Sequence, residues 1–226
     1  MAIWKELKKV VNSNFNKPLN EQLIDREFYE GQLITSSTTW TVPKTGIYKI
    51  ICVGAGEDGS ASYGGGASGG VVVEKARLTE GASYSITIGN NALFGTLCSA
   101  IGASNGTGGS GTVTNGKVYA GQNANNTSNH IGNGADVSFF DSKYMSKAIQ
   151  TITQANTPML YFAPGGTGLF GGQQGLKLSS TSTTGYAASG GGGYGAGGGL
   201  TGSSSSSYTI GVGGAACIYI ELIQEI

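Results

Sequence analysis

Glycine occupies 41 of 226 positions, and it falls in runs separated by strand-like sequence. The runs lie at 64–70, 106–111, 165–172 and, longest, 190–199. Glycine loses more backbone freedom on ordering than any other residue, so such a chain resists folding unless something compensates. Between the runs, Val, Ile, Tyr and Phe alternate with polar residues as they do in strands. Two arrangements meet these constraints. Either the runs are loops on a β scaffold, or they pack as extended polyglycine rods held by that scaffold. Glycine shows no strict every-third-residue period, which excludes a collagen-like fibre.

The charge balance is even, with 13 basic and 13 acidic residues, but its distribution is uneven. Residues 1–30 hold ten of the 26 charged side chains, whereas 82–135 contain only Lys117 and 148–220 only Lys177. A body so poor in charge offers no electrostatic footprint for nucleic acid and no basic face for a membrane. Neither is expected as a partner. Three cysteines (Cys52, Cys98, Cys217) form no CxxC pair, which argues against a metal knuckle and against a disulfide framework. Cys52 and Cys217 sit in apolar runs and read as small buried hydrophobes. The first residues carry no apolar core of signal-peptide length, and no run approaches a membrane span. Synthesis in a cytoplasm without secretory processing is therefore expected.

Residues 3–15 read as an amphipathic helix. Ile3, Leu7, Val10 and Asn14 fall at heptad spacing, with Trp4 and Val11 beside them and Lys5, Lys8 and Lys9 outward. After Pro18, the apolar residues Leu19, Leu23, Ile24 and Phe28 suggest a second short helix or a docking segment. The segment either packs on its own domain or anchors the chain to another protein. The charge shift near residue 30 favours the anchor, giving an attachment segment over 1–32 and a glycine-rich β domain over 33–226.

From Leu33 onward the pattern is that of strands. Thr38 to Val42 and Gly46 to Val53 read as a strand pair joined at Pro43-Lys44-Thr45-Gly46. Gly70 to Leu78, Tyr84 to Gly89, Ala135 to Asp141, Met159 to Phe162 and Ala215 to Ile223 read as further strands. Ser142 to Ala148 is the one helical stretch expected after the N-terminus. Strands come early and late, so the glycine-rich centre reads as an insertion between β edges that pair across a long sequence separation.

Gly54, Gly56 and Gly59 follow a strand and satisfy G-x-G-x-x-G, with Glu74 near the distance of a ribose-binding carboxylate. The dinucleotide site needs a helix starting within that motif. The following Ser-Ala-Ser-Tyr-Gly-Gly-Gly cannot start one, so no cofactor is expected. His130 is the only histidine, and its nearest acid is Asp136. No nucleophile, base and orienting carboxylate are brought together, and the carboxylates are too scattered for a glycosidase pair. The reading is of a non-enzyme.

A glycine chain in the polyproline II conformation has three residues per turn and no internal hydrogen bonds, so several rods must bond to one another. Weak Cα–H···O contacts add to such packing. Strands would form the frame, and rods would hold up loops carrying Tyr63, Leu93, Phe94, Asn125, His130, Leu169, Phe170, Tyr186, Tyr194 and Tyr208. These residues either cap the rods or form a contact surface. Tyr, Ser, Asn and Gly together suit binding loops, because they give area and hydrogen bonding at modest entropy cost.

Trp40-Thr41-Val42-Pro43 followed by Gly46 to Gly54 resembles the opening of the glycine-rich domain of phage tail proteins, where a W-x-V-P segment leads into a strand ending in glycine. Gly69 to Leu78 and Tyr84 to Gly89 are similar to its next block, Gly132 to Phe139 to its GGxTSF segment, and Gly211 to Glu221 to its closing strand. The likeness covers roughly 38–223. Distal tail-fibre adhesins of T-even-like phages, which use packed polyglycine rods to present loops to bacterial receptors, belong to the same neighbourhood. The resemblance implies a mostly β protein with a β-sandwich-like frame and polyglycine II-like insertions, working as a receptor-binding protein in the virion. Its partners would be a bacterial surface glycan or surface protein, and a fibre or baseplate protein reached through Ile3, Trp4, Leu7, Val10, Leu19, Leu23 and Phe28. A homotrimer is compatible with the short N-terminal heptad. The rival reading is a structural tail-tip or fibre spacer without a receptor role.

Overall fold

Two five-stranded antiparallel sheets pack face to face in the computed structural model, and the glycine-rich segments extend from one end of them. The structure describes residues 31–124, 131–139, 141, 143–145, 159–163, 165–170, 176–181, 184–189, 191–204 and 207–226. The residues expected to form the N-terminal attachment, from Ile3 to Phe28, lie outside these. The body opens at Gly31, two residues ahead of the boundary read from composition.

The first nine strands are β1 (Gln32–Ile34), β2 (Thr38–Thr41), β3 (Gly46–Val53), β4 (Val71–Leu78), β5 (Ser83–Ile88), β6 (Ala92–Phe94), β7 (Cys98–Ala100), β8 (Gly111–Val113) and β9 (Gly116–Tyr119). Seven more follow: β10 (Ile131–Gly132), β11 (Met159–Ala163), β12 (Leu176–Thr181), β13 (Thr184–Ser189), β14 (Leu200–Ser204), β15 (Ser207–Ile210) and β16 (Cys217–Glu225). The first sheet runs β1-β16-β3-β4-β9 and the second β2-β5-β6-β7-β8. Two three-stranded sheets, β10-β14-β15 and β11-β13-β12, complete the described structure, which contains no helix.

The pairing of β16 with β3, Cys217 opposite Val53 and Ile220 opposite Ile50, joins the two ends of the domain as the sequence required. The turn at Pro43 does something different from what the sequence suggests. β2 pairs with β5 and β3 with β4 and β16, so the two strands flanking Pro43 belong to different sheets. The physical reason is Trp40. Buried to 8% exposure, it reaches across the sandwich to pack edge-on against Tyr48 at 5.6 Å, and within its own sheet it packs tilted against Phe94 at 5.8 Å. Its indole Nε1 donates to Gln32 Oε1 in the opposite sheet, 3.0 Å away.

In β3, Ile50, Ile51, Cys52 and Val53 are all buried, a continuous run that marks a strand covered on both faces. Tyr48, Ile50 and Cys52 face the second sheet; the Cys52 and Cys98 Sγ atoms meet across the interface at 3.5 Å. All three cysteines are free and buried. The thiol of Cys52 is held well above its usual pKa, first by the hydrogen bond with Cys98 and then by burial; burial does the same for Cys217. Ile51, Val53, Val71 and Cys217 face the other way, into a cluster with Val137, Phe139, Tyr144 and Leu169.

That second covering layer corrects two sequence expectations. Residues 135–139 and 141 are not a strand: Ala135 donates to the Gly66 carbonyl and Val137 to the Thr167 carbonyl, so their hydrogen bonds go to glycine-rich segments. The expected helix at 142–148 is, in its described part, a turn. Tyr144 and Met145 both donate to the Asp141 carbonyl, and Met145 bridges to Leu169.

Backbone hydrogen bonds tie the glycine-rich segments to each other with a spacing of three residues. Gly54 donates to Gly70 and Glu57 to Ala67, while Gly56 donates to Gly214 and Gly59 to Gly211. Gly66 donates to Gly198 and Gly69 to Gly195; Gly211 donates to Gly199 and Gly214 to Ala196. Each segment therefore bonds different neighbours in turn, unlike a strand, whose bonds alternate with a period of two. Segment 195–199 is central: it bonds to 57, 66–69, 135, 166 and 211–215. A Cβ on Gly197 would lie 1.9 Å from the Gly66 oxygen, and one on Gly66 equally 1.9 Å from the Glu57 oxygen. Only glycine allows backbones to approach this closely.

The G-x-G-x-x-G glycines sit inside this packing. A Cβ on Gly54, Gly56 or Gly59 would meet the backbone of Ile101, Ala196 or Gly199 at 2.0 to 2.3 Å. Their spacing serves contact between segments. Glu74, at 1% exposure, points between the sheets and accepts the Thr114 and Asn115 amide N–H groups at 2.8 Å. Its carboxylate pins the turn between β8 and β9, where the chain passes from one sheet to the other.

Candidate functional site

Segments 54–59 and 65–70 are joined by a turn in which Ser60 and Gly64 bridge, and a second turn links Ser104 to Thr107. Each leaves the frame from a strand end, after β3 and β7, and returns to β4 and β8. Their apices meet. The Tyr63 ring lies against Gly106, where an added Cβ would stand 3.0 Å from the ring, and Tyr63 Oη donates to Asn105 Oδ1 at 3.4 Å. Asn105 takes φ +53°, a left-handed conformation that asparagine tolerates better than other side-chain-bearing residues. Its Nδ2 donates to Ser104 Oγ.

A third segment joins them after β9. Ala124 donates to the Gly106 carbonyl at 2.9 Å, and Asn123 Oδ1 accepts the Gly108 N–H at 2.9 Å. Beneath, Glu57 Oε2 accepts the Gly106 N–H at 2.9 Å, so this carboxylate is committed to holding the turn. The exposed side chains at these turns include Ser62, Ser104, Asn105, Thr107, Gln122 and Asn123 with half-buried Tyr63, hydroxyl, amide and aromatic groups, while the Asp58 carboxylate before the first turn accepts the Gly213 N–H. These can match the hydroxyls and C–H faces of a neutral ligand. Among the described residues, no group of three His, Cys, Asp or Glu side chains could hold a metal ion.

The other expected contact residues are placed elsewhere. Phe94 and Leu169 are fully buried and are corrections to the sequence reading. Phe94 stacks on Tyr84 at 5.0 Å inside the sandwich, and Leu169 belongs to the cluster on the first sheet. An apolar pair beside glycine reads as a loop tip, yet here it supplies core. Phe170 and Tyr194 are half-buried and pack against the same cluster. Phe170, at φ +57°, stacks on Tyr219 with centroids 4.9 Å apart. Tyr186 lies in β13, its backbone opposite Ser179, and Tyr208 in β15, opposite Gly202. Asn125 and His130 lie outside the described residues.

Sequence reasoning missed a polar network on the outer face of the first sheet. Lys49 Nζ donates to Tyr144 Oη at 3.0 Å, Tyr144 Oη donates to Glu221 Oε2 at 2.8 Å, and Lys143 bonds Glu221 Oε1. Register places Lys49 opposite Glu221, but only folding brings in Tyr144, 77 residues from Glu221. Burial pushes the Tyr144 hydroxyl well above its usual pKa, and the bond to Glu221 adds to this. Burial alone would raise the Glu221 carboxyl. The hydrogen bonds from Lys143 and Tyr144, with the charges of Lys143 and Lys49, outweigh that and hold it low.

A carboxyl titrating near 4.3 when unfolded and lower when folded stabilises the fold above that pH, and the contribution fades as pH falls through the folded value. We expect thermal stability to decline as pH is lowered from about 5 towards 3, and Glu221→Gln to flatten part of that slope. Melting curves across this range check it; parallel slopes would remove Glu221 from the acid response.

Compared with protein-family models and with curated protein sequences, the chain matches none.

Proposed function

We propose that this chain is a non-enzymatic receptor-binding protein of a phage tail, whose glycine-rich segments form a polyglycine II-like stack presenting loops to a bacterial surface glycan. The observation that carries the reading is the convergence of the 60–64 and 104–107 turns at the apices of glycine-rich segments bonded every third residue. A period of three is that of the polyproline II helix, and many short bonds between backbones give such rods the rigidity that free glycine loops lack. Rigid support lowers the entropy lost on binding, so small polar loops can hold a ligand. The surface at the apex is hydroxyl, amide and aromatic, which suits a neutral sugar. The attachment role of residues 1–32, the virion location and a surface protein as alternative receptor belong to the same proposal.

Labelled full-length protein should bind saturably to intact cells of the bacterium whose phage or prophage encodes it, and stripping surface glycan should abolish binding. Tyr63→Ala combined with Asn105→Ala should reduce cell-bound protein at least tenfold while the circular dichroism spectrum is kept; tenfold corresponds to about 1.4 kcal/mol. Binding that survives stripping would move the receptor to a surface protein. Folded protein that binds no cells would favour the structural tail component.

A further inference from the structure

On the outer face of the first sheet, away from the turn apices, a depression of about 310 Å³ is lined by Val73, Lys75, Asn115, Gly116, Lys117 and Tyr119. We propose that it is a binding site for a phosphate-bearing sugar or polyol. Two lysines from distant parts of the sequence line it, Lys75 and Lys117, and a third, Lys49, lies on the strand beside Lys75. Lys75 stands directly opposite Lys49 in the β3–β4 register, and Lys117 stands opposite Val73, one step along the same face. Like charges placed opposite one another across a sheet destabilise it.

The fold relieves only part of this repulsion. Lys49 is served by Tyr144 and lies opposite Glu221, and Glu221 is shared with Lys143. Asp141 on the covering turn accepts the Lys143 N–H. Glu74 lies on the opposite face and is committed to Thr114 and Asn115. Among the described residues, neither Lys75 nor Lys117 has a carboxylate partner, although both are exposed at the rim of the same depression. A pair of cations held beside each other without an anion among the described residues is a repulsion that a ligand anion would resolve.

The rest of the lining selects the ligand. Lys117 Nζ lies 4.7 Å from the Tyr119 ring centroid, a cation–π contact that positions the ammonium at the wall of the depression. Tyr119 is itself fixed by Phe139 at 4.9 Å. Two separate ammonium groups are point charges able to approach different oxygens of a tetrahedral phosphate, whereas a planar carboxylate is matched best by the fork of an arginine, and no arginine lines the depression. Asn115 spends its Nδ2 on the Lys75 carbonyl at 3.1 Å, and its side-chain oxygen is an acceptor that a ligand hydroxyl would match. Val73 and the Tyr119 edge supply the apolar wall for sugar C–H groups. The volume, at the lower end for ligand pockets, fits one sugar unit.

Glucose 6-phosphate titrated into ¹⁵N-labelled full-length protein tests this. Saturable shifts of the Gly116 and Lys117 amides are expected, weakening as salt is added, with glucose at least tenfold weaker. Lys75→Gln combined with Lys117→Gln should weaken glucose 6-phosphate at least tenfold with a Tm equal to or above that of the parent. The absence of saturable shifts, or equal affinity in the double variant, would overturn the site. Tighter binding of glucuronate than of glucose 6-phosphate would overturn the phosphate assignment. The double variant leaves the Tyr63 and Asn105 turns untouched, so cell binding reports separately on the adhesin reading.

Discussion

Gly197→Ala should lower the melting temperature by roughly 6–12 °C, the shift expected for about 3 kcal/mol lost from a domain of this size. The methyl group would enter a space where the Gly66 oxygen lies 1.9 Å away and the Ala135 nitrogen 2.8 Å. Neither neighbour is the free end of a side chain. Gly66 donates to Gly198, Ala135 donates to Gly66, and Gly197 itself donates to Ala135, so each atom that must move is held by a bond to the same group. Overpacking of this kind costs about 1–3 kcal/mol when side chains can yield, and the upper end or more applies where backbone must shift. Gly89→Ala is the matched control, since nothing lies within 4 Å of its Cβ position. That change should stay within about 0.5 kcal/mol of the parent. Indistinguishable melting curves for the two variants would mean that segments 64–70, 133–137 and 195–199 are not packed in contact.

Glu74→Ala is expected to be comparably damaging, by about 3 kcal/mol or more in chemical denaturation. Its carboxylate accepts the Thr114 and Asn115 N–H groups at 2.8 Å from a position 1% exposed. Hydrogen bonds to a charged acceptor contribute about 1.5–3 kcal/mol each, and truncation also leaves a cavity between the sheets. Glu74→Gln preserves shape and one acceptor oxygen, so a smaller loss, about 1–2 kcal/mol, is expected. A loss below about 1 kcal/mol for the alanine variant would show that the turn between β8 and β9 is held by its flanking strands alone.

The strands were legible where period and composition agreed. Val71 to Leu78, Ser83 to Ile88 and Cys217 to Glu225 carry alternating or continuous apolar residues, and those patterns respond to local environment alone. The failures share one cause. Residues 135–139 look like a strand because Val137 and Phe139 alternate with polar neighbours, and they do point inward. Their backbone partners, however, are Gly66 and Thr167, and no local pattern specifies partners 30 and 69 residues away. The same holds for the turn at Pro43. Its residues encode a reversal but not whether the chain re-enters the same sheet, which Trp40 decides by bridging to Tyr48.

The candidate site divides in the same way. Tyr63 was identifiable as an aromatic set among glycines and serines, whereas Phe94 and Leu169, picked on the same criterion, are core. Exposure depends on what covers a residue, and for Leu169 the cover is Tyr194 and Met145. By itself, the sequence determined the β character, that no helix starts after Gly59, the burial of Cys52 and Cys217 and the need for glycine segments to find hydrogen-bond partners outside themselves. Those follow from local sterics and from the unpaired N–H and C=O groups that every extended glycine carries. Only the tertiary structure decided which segment lies beside which, that Asn105 meets Tyr63, and that Lys49, Lys75 and Lys117 share one face. Pairing across long separations is selected by the summed packing of the whole domain, and no stretch of the chain encodes it alone.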